Sequence, residues 1–419
     1  MKLLIKSATI VDKQSDYHLK QADILIQDGI IKKIGNAIEV EADKEINIKG
    51  LHVSQGWLDT SVSFGEPGYE ERETIENGLR TAAFSGFTDV VLNAQSKPTI
   101  DNSSTIYSVK AKAQGNAVNL LPTGTLTVAS KGVDLAELYD MGNAGAVSFG
   151  DYKKPVSNPN LLKIALQYAQ NFGGLVQSFP LEKRIAGKGI VNEHHNSTLL
   201  GLKGIPNLAE DLQIARDLYL LEYTGGKLHI PTISTEKSVA LIKEAKKKGL
   251  DITCSVAIHN LVLTDDLLSE FDTRAKVMPP LRTKKDTKAL IKALKDGVID
   301  FVTSDHDPID IENKKVEFDN ANYGSIGLES AFGALQTIFS TEETVAILTR
   351  DKERFKAEIS TLAEQKLAKL SFFLPEEKYT FEKSDILSIS QNSIFLGQQL
   401  KGKAIGIFNN NQLIISEEF

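Results

Sequence analysis

The sequence predicts an α/β protein: a closed barrel of eight parallel strands wrapped in helices, with a small β-sandwich beside it. Three features carry that reading. Short apolar segments alternate with amphipathic helical patterns through the middle of the chain. Strands that are apolar throughout belong to a sheet covered on both faces, which is the habit of parallel sheets. The two ends of the chain read instead as short strands joined by turns.

The N-terminal strands fall at 3–5, 9–11, 22–27, 30–34 and 46–53. Asp28-Gly29 stands between two of them, and Asp-Gly between apolar runs is a strong hairpin signal. From Gly56 the pattern changes. Strands are expected at 57–63, 89–93, 118–122, 145–149, 174–177, 227–230, 251–256 and 298–303. Helical patterns lie at 74–85, 161–171, 208–223, 235–248 and 287–296. Eight such units imply closure, with the functional site at the C-terminal ends of the strands. Helical segments at about 326–370 follow, and the tail turns β-like at 405–408 and 412–415, around a turn at 409–411. The expected division is a sandwich from 1–53 plus 382–419, and a barrel over 54–381 with its C-terminal helices.

Composition narrows the function. The chain has 419 residues, 41% of them hydrophobic and 25% charged, so a sizeable core and a soluble balance are expected. A net charge of −7 argues against a broad nucleic-acid footprint. Cys254 is the single cysteine, which excludes a disulfide framework, a four-cysteine zinc site and an iron–sulfur cluster. The apolar run at 1–6 is too short for a signal peptide, and no stretch reaches the roughly 18 apolar residues of a membrane span. A soluble cytoplasmic protein is expected. Seven histidines are enough for an imidazole metal site, so their positions decide.

Motifs then appear in order. Gly56-Trp-Leu-Asp-Thr-Ser-Val-Ser-Phe-Gly-Glu-Pro-Gly68 resembles the pattern G-[FL]-I-D-x-H-V-H-x-R-x-P-G. Leu228-His-Ile-Pro-Thr-Ile-Ser-Thr235 resembles L-H-I-x-H-V-S-T, and Lys276-Val-Met-Pro-Pro-Leu-Arg282 resembles K-V-N-P-P-L-R. Ser304-Asp-His-Asp-Pro308 resembles T-D-H-A-P. Asn192-Glu193, Gly201-Leu-Lys-Gly-Ile-Pro206, Ala209-Glu-Asp-Leu-Gln-Ile-Ala-Arg216, Asn322-Tyr-Gly324, Gly327-Leu-Glu329 and Gly397-Gln-Gln-Leu-Lys-Gly402 match further blocks. These are the blocks of the dihydroorotases, in the cyclic-amidohydrolase branch of the amidohydrolase superfamily. The resemblance covers nearly the whole chain. It implies an amidohydrolase-type (β/α)8 TIM barrel and a zinc hydrolase that reversibly closes N-carbamoyl-aspartate into dihydroorotate in pyrimidine synthesis. Zinc supplies hydroxide there by lowering the pKa of bound water from about 15.7 towards 7, and an aspartate at the end of the eighth strand handles the proton.

The departures fall on that chemistry. The H-x-H pair is Ser61 and Ser63, and the histidines after the fifth and sixth strands are Ser178 and Thr232. Neutral hydroxyls are poor zinc ligands. The carboxylates left at metal-ligand positions are Asp305 and Asp151. The latter lies in Ser148-Phe-Gly-Asp151, which resembles F-[ST]-D-D-G with Tyr152 for the second Asp and Lys153 for the Gly. At substrate positions, Gly65 replaces an arginine that would clamp a carboxylate, and Gln95 and Met278 replace asparagines. His259 and His306 are further pocket candidates, yet none of the seven histidines stands at a ligand position.

Asp305 with His306 reads more simply as a remnant held for hydrogen bonds than as a working acid–base pair. Asp151 has Lys153 and Lys154 as expected partners. A new serine nucleophile needs an adjacent base, which only His259 or His306 offers. The run Lys243, Lys246, Lys247 and Lys248 reads as a solvated helix face. The favoured expectation is therefore a catalytically inactive dihydroorotase-like pseudoenzyme with no metal and no cofactor. It would act as a structural or regulatory partner, with aspartate transcarbamoylase or another pyrimidine-pathway enzyme as the candidate, and form a homo-oligomer, a homodimer by family habit. The alternatives are a cyclic-amide hydrolase that uses Asp305 with an unusual or absent metal, and a small-molecule sensor.

Overall fold

The barrel is laid down strand by strand in chain order. A computed structural model describes residues 1–416. Its strands are Trp57–Val62, Phe87–Leu92, Asn119–Gly124, Ser148–Phe149, Leu175–Gln177, Lys227–Ile230, Ile252–Ala257 and Phe301–Thr303. Each pairs in parallel with the next. All eight expected strands are present.

Helices Ile75–Phe84, Pro159–Ala169, Asn207–Thr224, Glu236–Lys247 and Lys284–Lys295 form where the apolar spacing placed them. Thr74, Thr235 and Thr283 begin three of them by accepting a backbone N–H three residues on. Ser103–Ala113 and Leu138–Ala144 are additional helices. No helix among the described residues is long and apolar enough to cross a membrane.

Closure combines a backbone bond with the hydrogen bonds of one buried side chain. Ser63 N donates to His306 O at 2.7 Å. Beside it, the buried Asp59 carboxylate accepts from Thr303 Oγ1 at 2.5 Å, Ser304 N at 2.9 Å and Ser61 N at 3.1 Å. It thus joins the first strand to the end of the eighth and satisfies donors that a regular ladder would have paired.

Both chain ends build a second, mostly antiparallel sheet. Its order is Gln412–Ile415, Gln399–Asn409, Leu370–Thr380, His52–Gln55, Lys2–Val11, Gln21–Gln27 and Ile30–Gly35, with Lys44–Ile46 also against Lys2–Val11. The hairpin turns at Asp28 (φ +51°) and Gly29 (φ +78°) as expected. Leu3, Ile5, Ile24, Ile26, Val53, Leu370, Phe372 and Ile405 share a core of their own.

Two expectations change here. Residues 46–53 form two short strands rather than one. Leu370–Thr380 belongs to the terminal sheet, so the boundary expected at 382 falls too late; the last α-helix is Thr341–Thr349, followed by a 3-10 turn at Lys352–Phe355. The strand hides its period because it is buried on both faces. Phe372 enters the terminal core while Phe373 packs against Trp57 of the barrel.

Candidate functional site

The expected site residues stand at the C-terminal strand ends. Ser61 and Ser63 end the first strand, Asp151 follows the fourth, Ser178 the fifth, Thr232 the sixth and Asp305 the eighth. All are buried. Three of the four hydroxyls have found other partners. Asn93 Nδ2 donates to Ser61 Oγ and Ser63 Oγ, both at 3.1 Å, and Ser61 Oγ donates to Asp305 Oδ1 at 3.4 Å. Ser178 Oγ donates instead to Asp217 Oδ2 at 2.6 Å, on helix Asn207–Thr224. Thr232 sits at φ +47° with its Oγ1 buried and unpartnered.

The Asp151 carboxylate is held by the segment that follows the third strand. It accepts from Leu126 N at 2.9 Å, Thr127 N at 3.0 Å and Thr127 Oγ1 at 2.5 Å. Burial raises its pKa against those hydrogen bonds. Lys153, expected beside Asp151, turns elsewhere. Its Nζ lies 2.9 Å from Asp305 Oδ2 and 3.1 Å from Asp307 Oδ2. The Tyr152 hydroxyl lies 3.3 Å from both Asp305 Oδ1 and Asp307 Oδ2. Burial works against the Lys153 ammonium, but Asp305, Tyr152 and Asp307 outweigh it and hold its pKa well above the lysine range. Burial lifts Asp305 to about 6, with Lys153 opposing and Asp307 adding to the rise.

The two histidines do not serve the serines. His306 Nδ1 accepts from Gly327 N at 3.2 Å and Leu328 N at 3.4 Å, the start of helix Leu328–Gln336. His259 is buried with Nε2 unpartnered. Burial depresses both to about 3, so both are neutral at pH 7. Gly65 leaves no room for the lost arginine, since a Cβ there would lie 1.9 Å from Tyr69 O.

Tyr152 divides the mouth in two. Beneath it, Ser61, Asn93, Gln177 and Thr232 enclose only about 10 Å³, the room of a single water molecule. Above it lies a cavity of about 520 Å³, lined by Gln95, Met278, Arg72, Lys154, Asp307 and Tyr323 among others.

The comparisons with known proteins agree with this architecture. The dihydro-orotase-like family model matches residues 51–238. The dihydroorotase of Pelotomaculum thermopropionicum is 39% identical over 409 residues, covering 96% of each chain. This chain belongs to the dihydroorotase family. The dihydroorotase of Geobacter metallireducens is 38% identical over 413 residues, covering 96% of this chain and 97% of its own. The solved L-hydantoinase of Arthrobacter aurescens superposes with a TM-score of 0.83 over 99% of this chain and 96% of its own, at 21% identity, which shows a shared fold.

The family implies zinc, and the donors here do not fit it. Zinc takes thiolate, imidazole and carboxylate ligands. The strand ends offer hydroxyls, and one Asp305 oxygen already holds an ammonium. No group of three or more His, Cys, Asp or Glu suited to a metal occurs among the described residues.

Sequence reasoning missed Asn93, Asp307 and Asp59, gave Tyr152 no role, and placed Lys153 beside Asp151 rather than on Asp305 and Asp307. A signal existed for one pair. Lys153 stands where the family pattern has glycine and Asp307 where it has alanine, a gain of opposite charges at two motif positions.

Proposed function

We propose that this chain is a dihydroorotase-family protein of pyrimidine synthesis that lacks cyclic-amide hydrolase activity and acts as a structural or regulatory partner of another enzyme of that pathway. One observation carries the reading: hydroxyls stand at all four imidazole positions, and three of them are hydrogen-bonded to Asn93 or Asp217. Without a metal to make hydroxide, a general base alone contributes about 10²–10⁴-fold, against about 10⁶-fold or more for an enzyme. The test is metal content together with dihydroorotate turnover. Neither stoichiometric zinc nor turnover is expected. Zinc with turnover abolished by Asp305→Ala would overturn the proposal.

Partnership has support on the surface. Leu208, Leu212, Tyr219 and Tyr223 are exposed on one face of helix Asn207–Thr224. Their spacings of four, seven and four residues read alike in both directions, which suits a two-fold pairing with a second copy. We place a homodimer through this face, in the cytoplasm, with aspartate transcarbamoylase as the candidate heterologous partner and nucleic acid and membrane as none. In sedimentation, the wild type is expected as a dimer and Tyr219→Glu with Tyr223→Glu as a monomer. A monomeric wild type removes the homodimer, and co-purification without transcarbamoylase removes that partner.

Two observations favour other readings. The Asp305 pKa near 6 suits a proton carrier, as a metal-free hydrolase would need. The 520 Å³ cavity suits a small-molecule sensor, which predicts ligand-induced thermal stabilisation without turnover.

A further inference from the structure

We infer that the Lys153 ammonium is a tethered cation bridging the barrel mouth, so that Asp305 and Asp307 form a cation site the chain fills with its own side chain. The inference deepens the zinc-free reading and rests on it. Lys153 follows the fourth strand, and the two aspartates follow the eighth. In a ring of eight strands those ends face each other across the opening. Nζ reaches one oxygen of each carboxylate, at 2.9 and 3.1 Å. Tyr152 closes the other side, its hydroxyl shared between the same two carboxylates and its ring 4.8 Å from Nζ.

Three further facts support the bridge. Both aspartates are buried, and the lysine side chain is 13% exposed. Removing one member of such a set leaves charge without compensation. Tyr152, Lys153 and Asp305 sit at φ +26°, +48° and +47°, a backbone region that persists in non-glycine residues only where the surroundings enforce it. Lys153 and Asp307 are both departures from the family pattern, of opposite charge, and they meet in space. A metal would tie these loops through ligand bonds; here a primary ammonium ties them through ion pairs.

The test uses the full-length protein. Lys153→Ala removes a propylammonium's worth of side chain, and Lys153→Met removes the charge at nearly constant length. Both are expected to melt below the wild type. Millimolar n-propylammonium is expected to raise the melting temperature of Lys153→Ala and not of the wild type, with n-propanol and sodium chloride inactive. Rescue by every additive or by none, or wild-type stability in Lys153→Met, overturns the bridge. Should the variants not fold, acylation of the wild type decides. Lys153 is expected to react at least tenfold more slowly than Lys154, and equal rates overturn the bridge. Stoichiometric zinc in the wild type would instead overturn the zinc-free reading, whereas a zinc-free protein without amine rescue removes the bridge alone.

Discussion

Thr232 combines a β-branched side chain at φ +47° with a buried hydroxyl that has no partner. Strain of this kind costs about 1–3 kcal/mol. Thr232→Gly relieves it and loses about 0.5–1 kcal/mol to the greater freedom of glycine in the unfolded chain. The expected net is roughly 1 kcal/mol of added stability, read as a higher urea midpoint; a lower one would show that the threonine methyl packs too well to lose. His306 provides a second residue-scale prediction. Its pKa is about 3 folded, against 6.5 for the free side chain, so the unfolded state binds more protons between those values. Stability falls as pH drops below about 6.5. His306→Asn keeps an acceptor for Gly327 N and Leu328 N but does not titrate. The variant should therefore gain on the wild type by about 1.4 kcal/mol per pH unit below 6.5. Denaturation curves at pH 7, 6 and 5 check this, and a constant difference refutes it.

At the scale of elements, the first and eighth strands depend on Asp59. Each of its oxygens accepts from a donor on the closing segment. Asp59→Asn turns an NH₂ towards an N–H or O–H, leaving buried groups unpaired at about 1–3 kcal/mol each. A lower urea midpoint is expected, and an unchanged one would show that closure does not depend on Asp59. Element order was legible because the parallel strands are short, apolar and separated by amphipathic helices. Leu370–Thr380 escaped because its two faces enter two different cores, which erases the alternation that marks a half-buried strand.

For the molecule as a whole, the two units share a seam. Trp57, the only tryptophan, is buried; it stacks on Phe332 at 4.8 Å and lies 5.5 Å from Phe373 of the terminal sheet. Lys369 of the terminal segment reaches Asp89 of the barrel at 2.8 Å, both out of water. Separating the units would strand that ion pair and bare the aromatic cluster. Unfolding is therefore expected as one transition, with tryptophan fluorescence and far-ultraviolet circular dichroism superimposing in urea. Two separated curves would show independent units.

The sequence by itself determined the family, the eight-strand order and the replacement of four imidazoles by Ser61, Ser63, Ser178 and Thr232, because these are matters of periodicity and register. Only the tertiary structure decided where the remaining charges go. Lys153 and Asp307 lie 154 residues apart, and no spacing rule joins them. Closing the barrel sets the fourth strand end opposite the eighth, and burial then makes an ion pair the way to keep both charges. Asp151 illustrates the converse: its motif position pointed to the centre, but the amides at 126 and 127 bind its carboxylate first.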